Sequence, residues 1–228
     1  MQRIMYRIAW VAMSLLISIG LYMKVDIISK GGPVMIPIIL CSIFALAIML
    51  ERAVSLYRSK IDTNKFMDEI TTALKRNRIN EALDICEQTQ GPIARILKAG
   101  ISKHDRQRHE IREAIEDAGL HEVPKLEKNL SALATIAHVS PLLGLLGTVT
   151  GMVSTFQIIQ QKAVAMYPVD PSVLAKGIWE ALITTVAGLI VAIPCFVAYN
   201  YLVSKVQNLV VEMEVSATDL VNILTQRR

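Results

Sequence analysis

The sequence predicts an all-α membrane protein whose long helices run on into a polar helical region. Three observations carry that prediction. Apolar residues make up 53% of the chain and aromatics only 5%, so the apolar mass is Ile, Leu, Val, Ala and Met rather than the ring-rich packing of a soluble core. That mass is gathered into four runs, near residues 8–23, 33–50, 130–159 and 177–203, each close to the length that crosses about 30 Å of hydrocarbon. The one long polar stretch, residues 57–129, falls between the second and third runs.

Taken in order, residues 1–24 carry Arg3 and Arg7 ahead of a short apolar core, the layout of a signal peptide or an uncleaved anchor. Ser18-Ile19-Gly20 is a weak cleavage signal, and Lys24 can snorkel to complete a short span. The segment reads as a signal anchor or extra N-terminal transmembrane helix. Residues 33–56 read as the next transmembrane helix, ending around Glu51-Arg52. Residues 57–129 read as helical, with Asp62 a candidate N-cap and Gly91-Pro92 a break between two helical hairpin elements. From Arg108, Ile111, Ile115, Ala118, Leu126, Leu130 and Leu133 recur at helical spacing into the third run. This predicts one helix passing from the polar region through the membrane, kinked at Pro124 and Pro141.

Residues 130–160 and 177–203 read as two further transmembrane helices, joined by a loop over 161–176. Residues 204–228 read as a C-terminal helix. Val203, Val206, Val210, Met213, Ala217, Leu220 and Leu224 are spaced alternately by three and four, an a/d seam. The seam faces either the chain's own helical hairpin or another subunit. Residues 57–130 hold fourteen of the 24 Lys and Arg, which places that stretch and the Arg227-Arg228 tail in the cytoplasm. The 161–176 loop, with only Lys162 and Lys176, is then periplasmic.

A net charge of +4, scattered among nearly as many acids, gives no basis for nucleic-acid binding. Cys41 and Cys195 lie in apolar runs and Cys86 in a charged region, with no spacing that suggests a disulfide or a zinc site. There is no phosphate loop, nucleophile elbow or metal-ligand cluster, so the chain reads as neither an enzyme nor a cofactor or metal carrier.

Two stretches carry chemistry. In the third run Gly144, Gly147 and Gly151 form a small-residue stripe with a GxxxG step, which lets helices approach closely in lipid. Thr148, Thr150, Ser154 and Thr155 add four hydroxyls within eight residues. In the fourth run Glu180 precedes Thr184 and Thr185. An ionised carboxyl at mid-membrane costs roughly 2.5–3.5 kcal/mol on insertion scales, so it is kept only if paired, protonated or facing water. Two readings of Glu180 stand: a proton-path group, or a snorkelling residue at the periplasmic surface paired with Lys176 one turn away. His138, at the cytoplasmic end of the third run, is a relay or a hydrogen-bonded packing residue; His104, His109 and His121 read as solvated.

The stretches 31–37, 140–156 (Ser-Pro-Leu-Leu-Gly-Leu-Leu-Gly-Thr-Val-Thr-Gly-Met-Val-Ser-Thr-Phe) and 177–194 (Gly-Ile-Trp-Glu-Ala-Leu-Ile-Thr-Thr-Val-Ala-Gly-Leu-Ile-Val-Ala-Ile-Pro) resemble the MotA/TolQ/ExbB proton channel family, its ExbB-like branch most, over about residues 27–215. The resemblance implies three family spans, a pentamer in the bacterial inner membrane, and a two-copy, single-span ExbD/TolR-like partner that supplies a membrane aspartate. It implies that Thr148, Thr185 and Thr184 with Glu180 lie along the proton path, that Gly144, Gly147, Gly151 and Gly188 pack the helices, and that the proton gradient drives a TonB- or TolA-like protein. Residues 1–23 extend beyond compact ExbB-like chains. A non-conducting membrane scaffold and a gliding- or flagellar-type stator are the competing readings; a polar region of about seventy residues is short for a flagellar stator.

Overall fold

A computed structural model describes residues 31–59, 61–165, 168 and 170–226. The N-terminal segment 1–24 lies outside the described residues. Every regular element among them is an α-helix: α1 (Met35–Arg58), α2 (Thr63–Lys75), α3 (Ile79–Gln88), α4 (Pro92–Ile101), α5 (Arg108–Glu127), α6 (Leu130–Val164) and α7 (Pro171–Gln226). Three helical stretches, carrying α1, α6 and α7, are long and apolar enough to cross a membrane. The 56 residues of α7 give about 84 Å measured along the helix, well beyond the ~30 Å a bilayer core requires.

The chain divides into two compact units, one from 132–198 with the described part of 1–47, the other from 48–131 and 199–228. In the first unit α1 packs on α7 through Met35, Ile38 and Ala187, flanked by Leu143 of α6 and by Ile183 and Val191 of α7. The remaining faces of these helices expose large apolar side chains, among them Phe44, Leu142, Val149, Val186 and Ile193. That surface is suited to lipid or to neighbouring copies rather than to water.

The second unit is a packing of short helices that bury apolar residues against one another. The Asp62 side chain accepts from the Lys65 amide and caps α2. One face of α2 buries Phe66, Ile70, Ala73 and Leu74, the i, i+4, i+7, i+8 pattern of an amphipathic helix. Gly91, at φ +151°, makes the turn into α4, and Pro92 opens that helix. α4 is buried nearly all round. A Cβ on its Gly100 would stand 2.7 Å from Ile115 of α5 and 3.0 Å from Leu220 of α7. The a/d seam of α7 therefore meets the chain's own hairpin at Leu220, and Thr63 Oγ1 donates to Glu212 at 3.0 Å on the same stretch. Farther along, Val210, Met213 and Ala217 line one wall of an open groove, with Leu120 and Val123 of α5 on the other.

Two expectations are corrected. The helix read as continuous through 108–160 breaks at Lys128–Asn129, because Asn129 takes a left-handed conformation (φ +62°) that ends α5 and starts α6. Pro124 sits inside α5 and Pro141 inside α6, and neither ends its helix. Helical structure also resumes at Pro171, inside the stretch read as a loop from hydropathy. Asp170 accepts from the Ser172 amide at 2.9 Å and caps the new helix, with Pro at its first position.

Candidate functional site: the α6–α7 seam

The small-residue stripe of α6 lies against a matching stripe of α7. Position by position, Ser140 and Gly144 meet Gly188, Gly144 meets Thr184 and Thr185, Gly147 meets Thr184, Gly151 meets Ala181, and Thr155 meets Gly177. The pairings run in opposite directions along the two helices, roughly one small residue per turn. A Cβ on Gly144 would stand 3.0 Å from the Thr184 carbonyl oxygen and 3.0 Å from Thr185 Cα, and one on Gly151 would stand 3.3 Å from Ala181 Cβ. Backbone atoms cannot move aside as side chains do, so Gly144 and Gly188 are where the approach is closest. The packing role read for Gly144, Gly147, Gly151 and Gly188 has this geometry.

The hydroxyls divide into two groups. Thr184 is buried at 1% exposure. Its Oγ1 donates to the Ala181 carbonyl at 2.7 Å and lies 3.4 Å from that of Gly144. It fills the centre of the seam. Thr185, half-buried, donates across the seam to the Gly144 carbonyl at 3.2 Å. Thr148, one helical turn beyond Gly144 and also half-buried, donates to Leu145 O at 2.6 Å. Thr148 and Thr185 thus stay partly exposed where Thr184 is enclosed, and each hydroxyl oxygen, already donating, can still accept. Thr155 (to Gly151 O, 2.8 Å) and Ser140 (to Ile136 O, 2.7 Å) are buried in the seam. Neither Ser140 nor Gly177 stands out from the sequence alone; the antiparallel register would have found both.

Glu180 makes no hydrogen bond to Thr148 or Thr185 among the described residues. It falls on the stripe of α7 that continues through Ile183, Ala187 and Val191 and faces α1. No ion pair joins it to Lys176 among the described residues. Its carboxyl instead lies against Gly32, in the turn that leads into α1. His138 is exposed, with Nδ1 at 2.7 Å from the Ala134 carbonyl and its ring edge-on to Phe196 at 4.9 Å.

In the second unit, Glu122 of α5 is buried and paired with Arg95 at 2.5 Å and Lys125 at 2.8 Å. Burial pushes its carboxyl up, but the hydrogen bonds and positive charges of Arg95 and Lys125 together hold it below the ordinary 4.5. The buried Arg52 guanidinium pairs with Glu51 and donates to Lys125 O at 3.1 Å, while Asn129 donates to Glu51 at 2.8 Å. These contacts tie the end of α1 to the α5–α6 break.

Comparison with known proteins adds a family signal over the same helices. The profile of the MotA/TolQ/ExbB proton channel family matches residues 88–215. The chain is 30% identical to the ExbB homologue of Methanothermobacter thermautotrophicus, over 83% of this chain and 66% of that protein. It is 32% identical to the biopolymer transport protein ExbB of Salmonella typhimurium, over 79% of this chain and 75% of that one. With the biopolymer transport protein ExbB of Neisseria meningitidis it shares 26% identity over 88% of this chain and 97% of the other.

Proposed function

The chain belongs to the MotA/TolQ/ExbB proton channel family, a transport family of multi-pass membrane proteins, and from that premise we propose that it is the channel-forming subunit of a motor driven by the proton gradient. In this reading it sits in a bacterial inner membrane, assembles as a pentamer, and encloses an ExbD/TolR-like single-span partner whose aspartate carries the proton. The resulting motion energises a TonB- or TolA-like protein.

The observation that supports this most is the pair of partly exposed hydroxyls. Thr185 lies at the close approach of Gly144, and Thr148 one helical turn along α6 from it, both partly exposed within apolar runs. Between residues 130 and 203 the only acids are Asp170 and Glu180, so a carboxylate from a partner completes the path. Each proton crossing about 100 mV releases about 2.3 kcal/mol, so useful work needs several.

A second reading is a non-conducting scaffold. It is favoured by the burial of Thr184 and by hydroxyls already satisfied by backbone carbonyls. The two readings separate on Thr148→Val and Thr185→Val. These swaps nearly keep volume; Thr148→Val loses a bond within α6 and Thr185→Val one interhelical bond, which in a membrane costs only about 0.6 kcal/mol, so assembly should survive. Complexes drawn from their native membrane with a tag on this chain, reconstituted in vesicles with a pH-sensitive dye, report the difference. The channel reading expects proton flux to fall by about a hundredfold at normal assembly. Undiminished flux in both variants would overturn it in favour of the scaffold.

A further inference from the structure

Glu180 ends the α7 stripe that packs on α1, and its carboxyl lies against the turn that leads into α1. Gly31-Gly32-Pro33 leads into α1 as a tight backbone turn: the Met35 amide donates to Gly32 O at 3.2 Å and the Ile36 amide to Pro33 O at 3.3 Å. A Cβ on Gly31 would meet the Met35 side chain and stand 3.3 Å from Ile183 Cγ2, so the turn is pressed onto α7 one helical turn from Glu180. A Cβ on Gly32 would clash with the Glu180 Oε1 atom, and would stand 3.3 Å from its Cδ and 3.8 Å from its Cγ. We propose that this turn is a seat for the Glu180 carboxyl, and that Gly32 is a positioning residue for the proton step; the inference rests on the channel reading above.

Two separate demands meet at position 32. The backbone has φ +66°, which Gly adopts freely and Asn or Asp tolerate. The space beside it is taken by the carboxyl, which only Gly leaves clear. The first demand concerns folding, the second the placement of Glu180. They can be pulled apart because the obstacle is the far end of a flexible side chain. A residue added at position 32 swings the carboxyl away and leaves helix packing in place.

Gly32→Asn makes that separation, since it keeps the turn and fills the seat. Tagged complexes carrying Gly32→Asn, Glu180→Asp or both are reconstituted beside wild type and Thr185→Val, and proton flux is followed against pH. The rate at which dicyclohexylcarbodiimide modifies Glu180, read by mass spectrometry, is measured on the same samples. At wild-type yield and assembly, Gly32→Asn is expected to lower flux by about a hundredfold, the scale of effect of an ångström-size misplacement, to alter the pH profile, and to raise the labelling rate. Glu180→Asp, one methylene shorter, is expected to lower flux alone and to recover part of it in the double variant. Gly32→Asn with wild-type labelling and pH profile would overturn the seat even where Thr185→Val abolishes flux. A wild-type complex that conducts nothing, but in which Gly32→Asn still accelerates labelling, would sink the channel reading and leave the seat standing.

Discussion

At the scale of single residues, glycines doing different work occur within one chain, and substitution tells them apart. Gly144 faces backbone at 3.0 Å, whereas a Cβ on Gly119, in the middle of α5, would meet nothing within 4 Å. Gly144→Ala is expected to part α6 from α7, lose the Thr185 bond, and destabilise the detergent-solubilised protein by about 1–3 kcal/mol. Gly119→Ala is expected to stabilise it by about 0.5–1 kcal/mol, through helix propensity and a less disordered unfolded chain. Thermal unfolding of the two variants checks both signs, and equal shifts would contradict the packing assigned to the seam. The Gly144–Gly147–Gly151 stripe is legible in the sequence because small residues at helical spacing on an apolar run have few other uses. The division of the threonines is not. Thr184 and Thr185 are neighbours of the same type, and only the register of α7 against α6 buries one and leaves the other partly exposed. Gly32 is opaque for a similar reason, since its partner is 148 positions away.

At the scale of helices, the apolar runs and the Asp62 and Gly91-Pro92 signals are legible because each is local. The Lys128–Asn129 break is not, because Leu126, Leu130 and Leu133 keep helical spacing straight across it, and Asn129 alone is a weak marker. What holds the break is tertiary: Glu51 accepts from Asn129, Arg52 donates to the Lys125 carbonyl, and Glu122 nearby in α5 is paired with Arg95 and Lys125. Because the Glu122 carboxyl titrates below its ordinary 4.5 in the folded protein, its contribution to stability is present above that value. It is lost as pH falls through the lower folded value. Glu122→Gln removes the charge that Arg95 and Lys125 face and is expected to destabilise the second unit by roughly 1–3 kcal/mol at neutral pH. The difference from wild type should begin to shrink as pH drops below about 4.5, and it is lost only below the lower folded value, where folded wild type is itself protonated. Thermal unfolding between pH 7 and pH 3.5 tests this, and a difference that holds constant with pH would show that it does not come from the ionised carboxylate.

At the scale of the whole molecule, a single copy leaves the α6 and α7 faces bearing Leu142, Val149, Val186 and Ile193 exposed, and carries no aspartate within the apolar runs 33–50, 130–159 and 177–203. Lipid can cover apolar faces, but it cannot supply a proton acceptor beside Thr148 and Thr185. The channel reading therefore makes a compositional demand that the scaffold reading does not: a second polypeptide, crossing the membrane once and carrying a carboxylate at the depth of Thr148 and Thr185. Native mass spectrometry of the complex, extracted gently and tagged at the C-terminus of this chain, is expected to give five copies with two of such a partner. Thr185→Val should leave that stoichiometry unchanged, because the Thr185 hydroxyl acts on the proton and not on assembly. A complex of this chain alone, with vesicles that hold their gradient, would remove the carboxylate on which conduction depends, and the packed glycine seam would then be the function itself.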